Sequence, residues 1–262
     1  MSAGAAEQDY NELTWPAHVR LKSDAPPASI ALRWLRTDLN LLALDTSTEY
    51  CSVAILRDEV LTHRDAHAVQ RHSELILPMV EECLRASGLT LAQLDGIAFG
   101  AGPGSFTGLR IACGVAQGIA FGAGLRVVPV GTLMALAEEA AAARVLACLD
   151  ARMGELYHAA YRREGGRWLE ISAPAVGPVP SMPELEQGGW FGCGNGFAVY
   201  AGELAKRYDG QLVGVAPMLH PHARSIARLA LPMLAAGEGL APEEATLFYV
   251  RDRVALKMHE QR

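Results

Sequence analysis

The chain has 262 residues, 50% hydrophobic and 20% charged, which is a globular composition with ample material for a core. Its formal net charge of −6, with no Lys/Arg run, argues against a protein that grips nucleic acid by itself and leaves room only for a local patch. The five cysteines (Cys51, Cys83, Cys113, Cys148 and Cys193) are odd in number, dispersed and without a C-x-x-C pair, so they read as buried free thiols of a reducing compartment rather than a disulfide framework.

Residues 1–39 form a separate N-terminal extension. Ala3-Gly4-Ala5-Ala6 and Ala25-Pro26-Pro27-Ala28 have the character of a tail or linker, while Trp15, Trp34 and Leu35 give it apolar points with which to dock. Order begins at Asn40. Residues 41–44 make a buried strand ending at Asp45, a polar turn follows, and residues 51–56 and 60–64 alternate as two further strands. A helix is predicted over 73–87, with Ser73 as its N-cap, an apolar stripe of Leu75, Ile76, Met79, Val80, Cys83 and Leu84, and Gly88 as its stop. Pro78 loosens its first turns. A short strand at 97–99 leads through the glycine-rich run GAGPGSFTGLR (100–110) into a helix over 107–122, then a strand at 126–130 and a helix at 133–142.

The second half opens on a strand at 145–149, Asp150, a tight turn and a strand at 155–161. LALDTSTEYCSVAIL and ACLDARMGELYHAAY share one plan, an apolar strand, an Asp, a polar turn and an alternating strand. Two copies of a β-β-β-α-β-α unit describe the actin/Hsp70/sugar-kinase (ASKHA) architecture, an α/β fold of two lobes. The first lobe is expected over 40–143. An abbreviated, degenerate second lobe is expected over 144–262, because residues 174–189 are rich in Pro and Gly.

In that architecture Asp45, Thr46 and Ser47 stand where a phosphate loop would lie, with Asp150 as the counterpart in the second lobe; they read as vestigial phosphate loops, or equally as turn residues bonding their own N–H groups. The run 100–110 is either an anion site at a helix N-terminus or a tight strand-to-helix turn. It lacks the Lys of a P-loop and the G-x-G-x-x-G spacing, and Ser105 is not in a nucleophile elbow. The helix after it carries Gly114, Gly118 and Gly122 on one ridge, Ala112, Ala116 and Ala120 on another, and Leu109, Ile111, Val115 and Ile119 around them. Such a helix is buried wholly in its own domain or shared with another subunit. His63, His67 and His72, and His220 with His222, lack zinc spacing. No Ser-His-Asp, Cys-His or paired-carboxylate set holds together.

The strings LLALDTSTEYCSVAIL, RHSELILP, GAGPGSFTGLRIACGVAQGIAFG, VPVGTLMALA and LDARMGELYHAAY, in this order, resemble the TsaB (YeaZ) family. GPGSFTGLR is the most specific of them. The resemblance is strong over 41–161 and thinner beyond, with Gly192-Cys193-Gly194-Asn195-Gly196 and Phe248-Tyr249-Val250-Arg251-Asp252 as late landmarks. It implies an ASKHA fold, partnership with the catalytic paralogue TsaD and the ATPase TsaE, contact with tRNA only through that complex, and a cytoplasmic location without a membrane. TsaD transfers a threonylcarbamoyl group to N6 of adenosine 37 in tRNAs reading codons that begin with A, and TsaB lends structural support. Catalytic relatives carry two metal-binding histidines in a stretch like His-Leu-Glu-Gly-His, where this chain has Thr132-Leu133-Met134-Ala135-Leu136. The expectation is therefore a non-catalytic dimerisation subunit with no metal or cofactor, a homodimer when alone. Its partner interface is expected on Leu75, Met79, Cys83, Leu109, Ile111, Gly114, Val115 and Gly118. The rival is an ATP-dependent sugar or acyl kinase on the same fold, which requires a nucleotide pocket and a general base.

Overall fold

The computed structural model describes residues 39–186 and 188–250. The 1–38 part of the N-terminal extension and the end of the 248–252 landmark lie outside the described residues. Two five-stranded sheets carry the fold. In the first, β1 (Leu41–Asp45), β2 (Tyr50–Arg57) and β3 (Val60–His67) form an antiparallel meander. Strands β4 (Gly96–Gly102) and β5 (Arg126–Gly131) join the other edge of β1 in parallel, giving the order β3-β2-β1-β4-β5. In the second, β6 (Arg144–Arg152), β7 (Glu155–Glu164), β8 (Arg167–Gly177), β9 (Trp190–Cys193) and β10 (Leu212–Ala216) give β10-β9-β6-β7-β8, the same order read from the opposite end. The faint sequence repeat is thus a repeat of topology, and the doubled unit is the ASKHA fold.

Parallel neighbours need crossover helices. The first sheet has two long ones, α1 (His72–Ser87) and α2 (Phe106–Ala123). The second has a 3₁₀ turn (Val179–Ser181) and two short helices, α4 (Gly196–Val199) and α5 (Ala201–Arg207). Abbreviation of the second lobe therefore falls on its helices, while its strands are complete. Between the lobes runs α3 (Thr132–Glu139), and a last helix, α6 (Ala223–Ala235), follows β10. Helix α1 ends as the sequence indicates, at Gly88 in the left-handed region. Its start differs: Arg71 is the N-cap, and Ser73 lies inside the first turn, because the His72 ring is engaged by the carbonyl of Thr48 at 2.9 Å.

Helices α1 and α2 cover one face of the first sheet. Ile76, Met79, Val80 and Cys83 of α1 and Ala112, Cys113, Ala116 and Ala120 of α2 pack on Leu42, Leu44, Val53 and Phe99. On the other face lies α6, whose Ile226, Ala227, Ala230 and Leu234 pack on Leu41, Ala43, Ala54 and Val128. Full burial of Ile226 and Leu234 contributes roughly 1.5–3 kcal/mol each. The end of the 144–262 span thus returns to the first sheet. The second sheet is covered by α3 on one face and by α4 and α5 on the other. All five cysteines are free and buried. Burial pushes the Cys51 thiol up to about 12 and Cys83 up to about 11, so neither ionises near neutrality. Helix α2 has the length and apolarity of a membrane span, yet its Leu109, Ala112, Cys113, Ala116 and Ala120 side belongs to the first core.

Candidate functional site

The two Asp-bearing turns face each other across a cleft of about 350 Å³. Ser47, Thr48 and Glu49 line it from the β1–β2 turn, Gly104 and Ser105 from the glycine-rich loop, Asp150 and Arg152 from the β6–β7 turn, and Asn195 from the loop after β9. This is where an ASKHA protein would hold the phosphates of a nucleotide.

The first turn does not fit that role. Asp45 is only 1% exposed, and its Oδ2 accepts from the Ser47 hydroxyl at 2.9 Å and the Ser47 N–H at 3.3 Å. The Thr46 hydroxyl donates to the Gly108 carbonyl at 2.6 Å, and the Ser105 N–H donates to the Ser47 carbonyl at 2.7 Å. A Cβ on Gly104 would meet the Ser47 carbonyl oxygen at 2.5 Å, and one on Gly108 would meet the Thr46 carbonyl oxygen at 1.9 Å. These two glycines let the glycine-rich loop lie directly against the β1–β2 turn. Asp45 Oδ1, close against Gly100, is buried with no hydrogen-bond partner. Burial raises the Asp45 carboxyl to about 7.

In the second turn Asp150 is fastened locally. Its Oδ1 accepts from the Arg152 N–H at 3.0 Å, its Oδ2 lies 3.2 Å from the Arg152 guanidinium, and its own N–H donates to Asn195 Oδ1 at 2.8 Å. Ser47 and Asp150 thus line one cleft, whereas Asp45 and Thr46 are buried beside Ser47, and all four are engaged in hydrogen bonds of the turns and loops. The glycine-rich run is likewise a strand-to-helix turn. Ser105 caps α2 by accepting from the Gly108 N–H, and Phe248 lends its N–H to the Ala101 carbonyl.

The positions where catalytic relatives carry metal-binding histidines offer no donor that fits a metal. Thr132 is buried and its hydroxyl donates to the Pro103 carbonyl, and Leu136 is wholly buried in the second core. Among the described residues no group of three or more His, Cys, Asp or Glu side chains is arranged to hold a metal ion.

The expected interface residues divide. Met79, Cys83 and Leu109 are buried in or against the first lobe's own core, which corrects their assignment to a partner surface: they occupy the inward positions of the helical period. Leu75, Ile111 and Val115 are half-buried on the flank of that core. Gly114 and Gly118 are exposed, and a Cβ built on Gly114, Gly118 or Gly122 meets nothing within 4 Å. Among the described residues the glycine ridge serves no packing. Leu77 and Phe121 are exposed beside it.

A second polar cluster escapes sequence reasoning. Asp65 on β3 lies 2.7 Å from His63 Nδ1 through one oxygen and 2.6 Å from His222 Nδ1 through the other. The Ser52 hydroxyl beside it accepts from the Ala223 N–H at 2.7 Å and is buried, so it is the cap of α6 and not a nucleophile. The histidine spacing noted above is the only signal, since His222 stands 157 residues from its partner.

The family model for TsaD, tRNA N6-adenosine threonylcarbamoyltransferase, matches residues 58–230. The tRNA threonylcarbamoyladenosine biosynthesis protein TsaB of Escherichia coli is 40% identical over 227 residues, covering 84% of this chain and 97% of that protein. The protein of the same name from Haemophilus influenzae is 39% identical over 233 residues, with the same two coverages of 84% and 97%. A solved structure called YeaZ from Pseudomonas aeruginosa superposes with a TM-score of 0.75 at 39% identity, covering 80% of this chain and 99% of that one. Another from that organism, described as uncharacterized with similarity to peptidase YeaZ, gives 0.76 at 39% identity over 81% of this chain and 100% of its own.

Proposed function

Because the chain belongs to the TsaB (YeaZ) family, we propose that it serves tRNA threonylcarbamoyladenosine biosynthesis as a non-catalytic scaffold subunit. Helix α2, with the outer side of α1, is the surface that docks on the catalytic paralogue TsaD. TsaE joins the assembly, tRNA is met only through it, and the chain pairs with itself when TsaD is absent. A family whose sequences share the TsaD domain offers two similar helix pairs that can pack into one bundle.

The observation that carries this reading is the glycine ridge. Three glycines on the exposed side of one helix cost about 1 kcal/mol each relative to Ala, and nothing among the described residues uses the space they open. Close approach of a second helix would use it. The closed first turn and the Arg-fastened second turn support a subunit without phosphoryl or carbamoyl transfer of its own. The free buried thiols suit the cytoplasm.

The test is co-purification with TsaD, with and without TsaE, followed by modification of unmodified tRNA. Gly118→Arg, an exposed substitution, should leave the monomer folded, abolish association with TsaD and with a second copy, and stop modification. A folded Gly118→Arg protein that bound TsaD normally would place the interface elsewhere. Turnover by the isolated chain, lost in Asp45→Ala, would favour the kinase instead.

A further inference from the structure

Among the described residues the chain crosses between the lobes twice. The first crossing is α3. The second is the segment 217–222, which runs from β10 in the second sheet to α6 on the first. Within these few residues it is anchored at both ends. Leu219 packs against the second-lobe core of Leu133, Leu136 and Val145. One residue on, the His220 ring lies flat on Tyr50 of β2, with centroids 3.6 Å apart and planes 8° apart. His222 then meets Asp65 of β3, and the Ala223 N–H is held by Ser52.

The contacts of the His220 ring suit its neutral form. Its Nδ1 lies 3.3 Å from the Met218 carbonyl, while its Nε2 is buried with no partner among the described residues. A proton added at Nε2 would be a buried donor with nothing to receive it. It would also create a cation 4.1 Å, centroid to centroid, from the His222 ring. Burial first, and the charge of His222 second, hold His220 below the usual imidazole range; the Met218 carbonyl, Asp65 and Glu49 pull the other way and are outweighed. Attraction of an imidazolium to the Tyr50 face would also favour the proton. Burial opposes ionisation of Asp65 too, but the bonds and charges of His222 and His63 outweigh it, so that carboxyl stays below its ordinary range as the fixed anion of the cluster. Asp45 and Glu139 act on His222 by charge from β1 and α3, Glu139 being itself tied to Arg224 and Ser225. His67 tilts against the Tyr50 ring at 5.1 Å.

From this geometry we infer that residues 217–222 are a protonation-sensitive strap between the lobes: acid puts a proton on His220, the stack on Tyr50 and the buried seat of Nε2 are lost, and the second crossing comes loose while α3 still joins the lobes. The device is independent of any partner.

The experiment is amide exchange over residues 217–226, normalised for the intrinsic pH dependence, as the pH falls from about 7.5 to about 5.5. The wild-type chain should lose protection at Leu219 and Ala223 by about tenfold, as expected where opening takes up one proton over part of that roughly hundredfold rise in proton activity. His220→Phe keeps a flat ring on Tyr50 and cannot titrate, so its protection should stay constant. Asp45, raised by burial, would tighten the native chain as the pH falls, so a loss of protection that survives in His220→Phe would belong to other groups and overturn the inference. Unchanged protection in the wild type would overturn it as well. Nitrogen NMR of the imidazoles in the wild type supplies an arm that needs no variant: His220 should be neutral with its proton on Nδ1 at the higher pH. An imidazolium there at the higher pH would refute the strap.

Discussion

Replacing Gly114 and Gly118 with Ala separates the two uses a small-residue ridge can have. Neither added Cβ finds an atom of the described residues within 4 Å, so none of them opposes it sterically. Each change removes the helix-interior penalty of glycine, roughly 0.8–1 kcal/mol, and the pair should stabilise the monomer by about 2 kcal/mol. At about 2–4 °C per kcal/mol for a domain of this size, the melting temperature should rise by about 4–8 °C. The melt belongs at a dilution where sizing shows a monomer, since pairing through the ridge would add a concentration-dependent contribution. Binding should move the other way. Two methyl groups inserted where helices approach closely cost about 1–3 kcal/mol each by overpacking, so affinity for TsaD should fall at least about tenfold. A monomeric double variant that melts at or below the wild type would show that the ridge is packed internally. One that is stabilised and binds TsaD unchanged would show that no helix comes close there.

Three further predictions test the site. Gly108→Ala drives a Cβ to 1.9 Å from the Thr46 carbonyl oxygen, and it should lower stability by about 3 kcal/mol or more in denaturant unfolding, whereas Gly124→Ala, strained only by its positive φ, should cost about 1 kcal/mol. The Asp45 carboxyl is raised in the folded state to about 7, so the native chain binds more protons than the unfolded one, and stability falls as pH rises from about 4 through about 7. Asp45→Asn should flatten that slope relative to the wild type in urea unfolding at pH 5 and pH 8, with a difference on the order of 3 kcal/mol as its ceiling; parallel profiles would refute the assignment. Glu139→Gln removes the anion that takes three bonds from Arg224 and one from Ser225, and unfolding should show a loss of about 2–3 kcal/mol. A thermally silent Glu139→Gln would mean that this tie between α3 and α6 adds nothing.

The parts of the fold legible in the sequence are those whose period is local. The strand, Asp, turn and strand units at 41–56 and 145–161, the stripe of α1 and its Gly88 stop are of this kind. Strand β3 runs three residues further than its apolar pattern, because Asp65, Ala66 and His67 sit at a sheet edge where charge is tolerated. Strand β8 contains Pro174, which an edge position allows but a strand pattern disguises, and β9 is only four residues long. The orientation of α2 is half legible. A helix as uniformly apolar as α2 does not announce which side faces in, so its pattern puts Leu109 outward when it lies in the core, whereas Gly114 and Gly118 do face out. The Asp65 cluster is invisible in the sequence, since its members meet only after α6 has come back across the molecule.

That return sets an order on synthesis. The last strand of the first sheet ends at Gly131, but the helix that covers its second face begins about 90 residues later, at Ala223. At translation speeds of about 5–20 residues per second, the apolar face formed by Leu41, Ala43, Ala54 and Val128 stays bare on the ribosome for roughly 5–20 s. The whole second sheet is made in that interval. A chain cut short anywhere between those points presents an uncovered sheet face to the cell, so stalled or truncated products are clients for chaperones and proteases, and the two lobes are not separable as folding units.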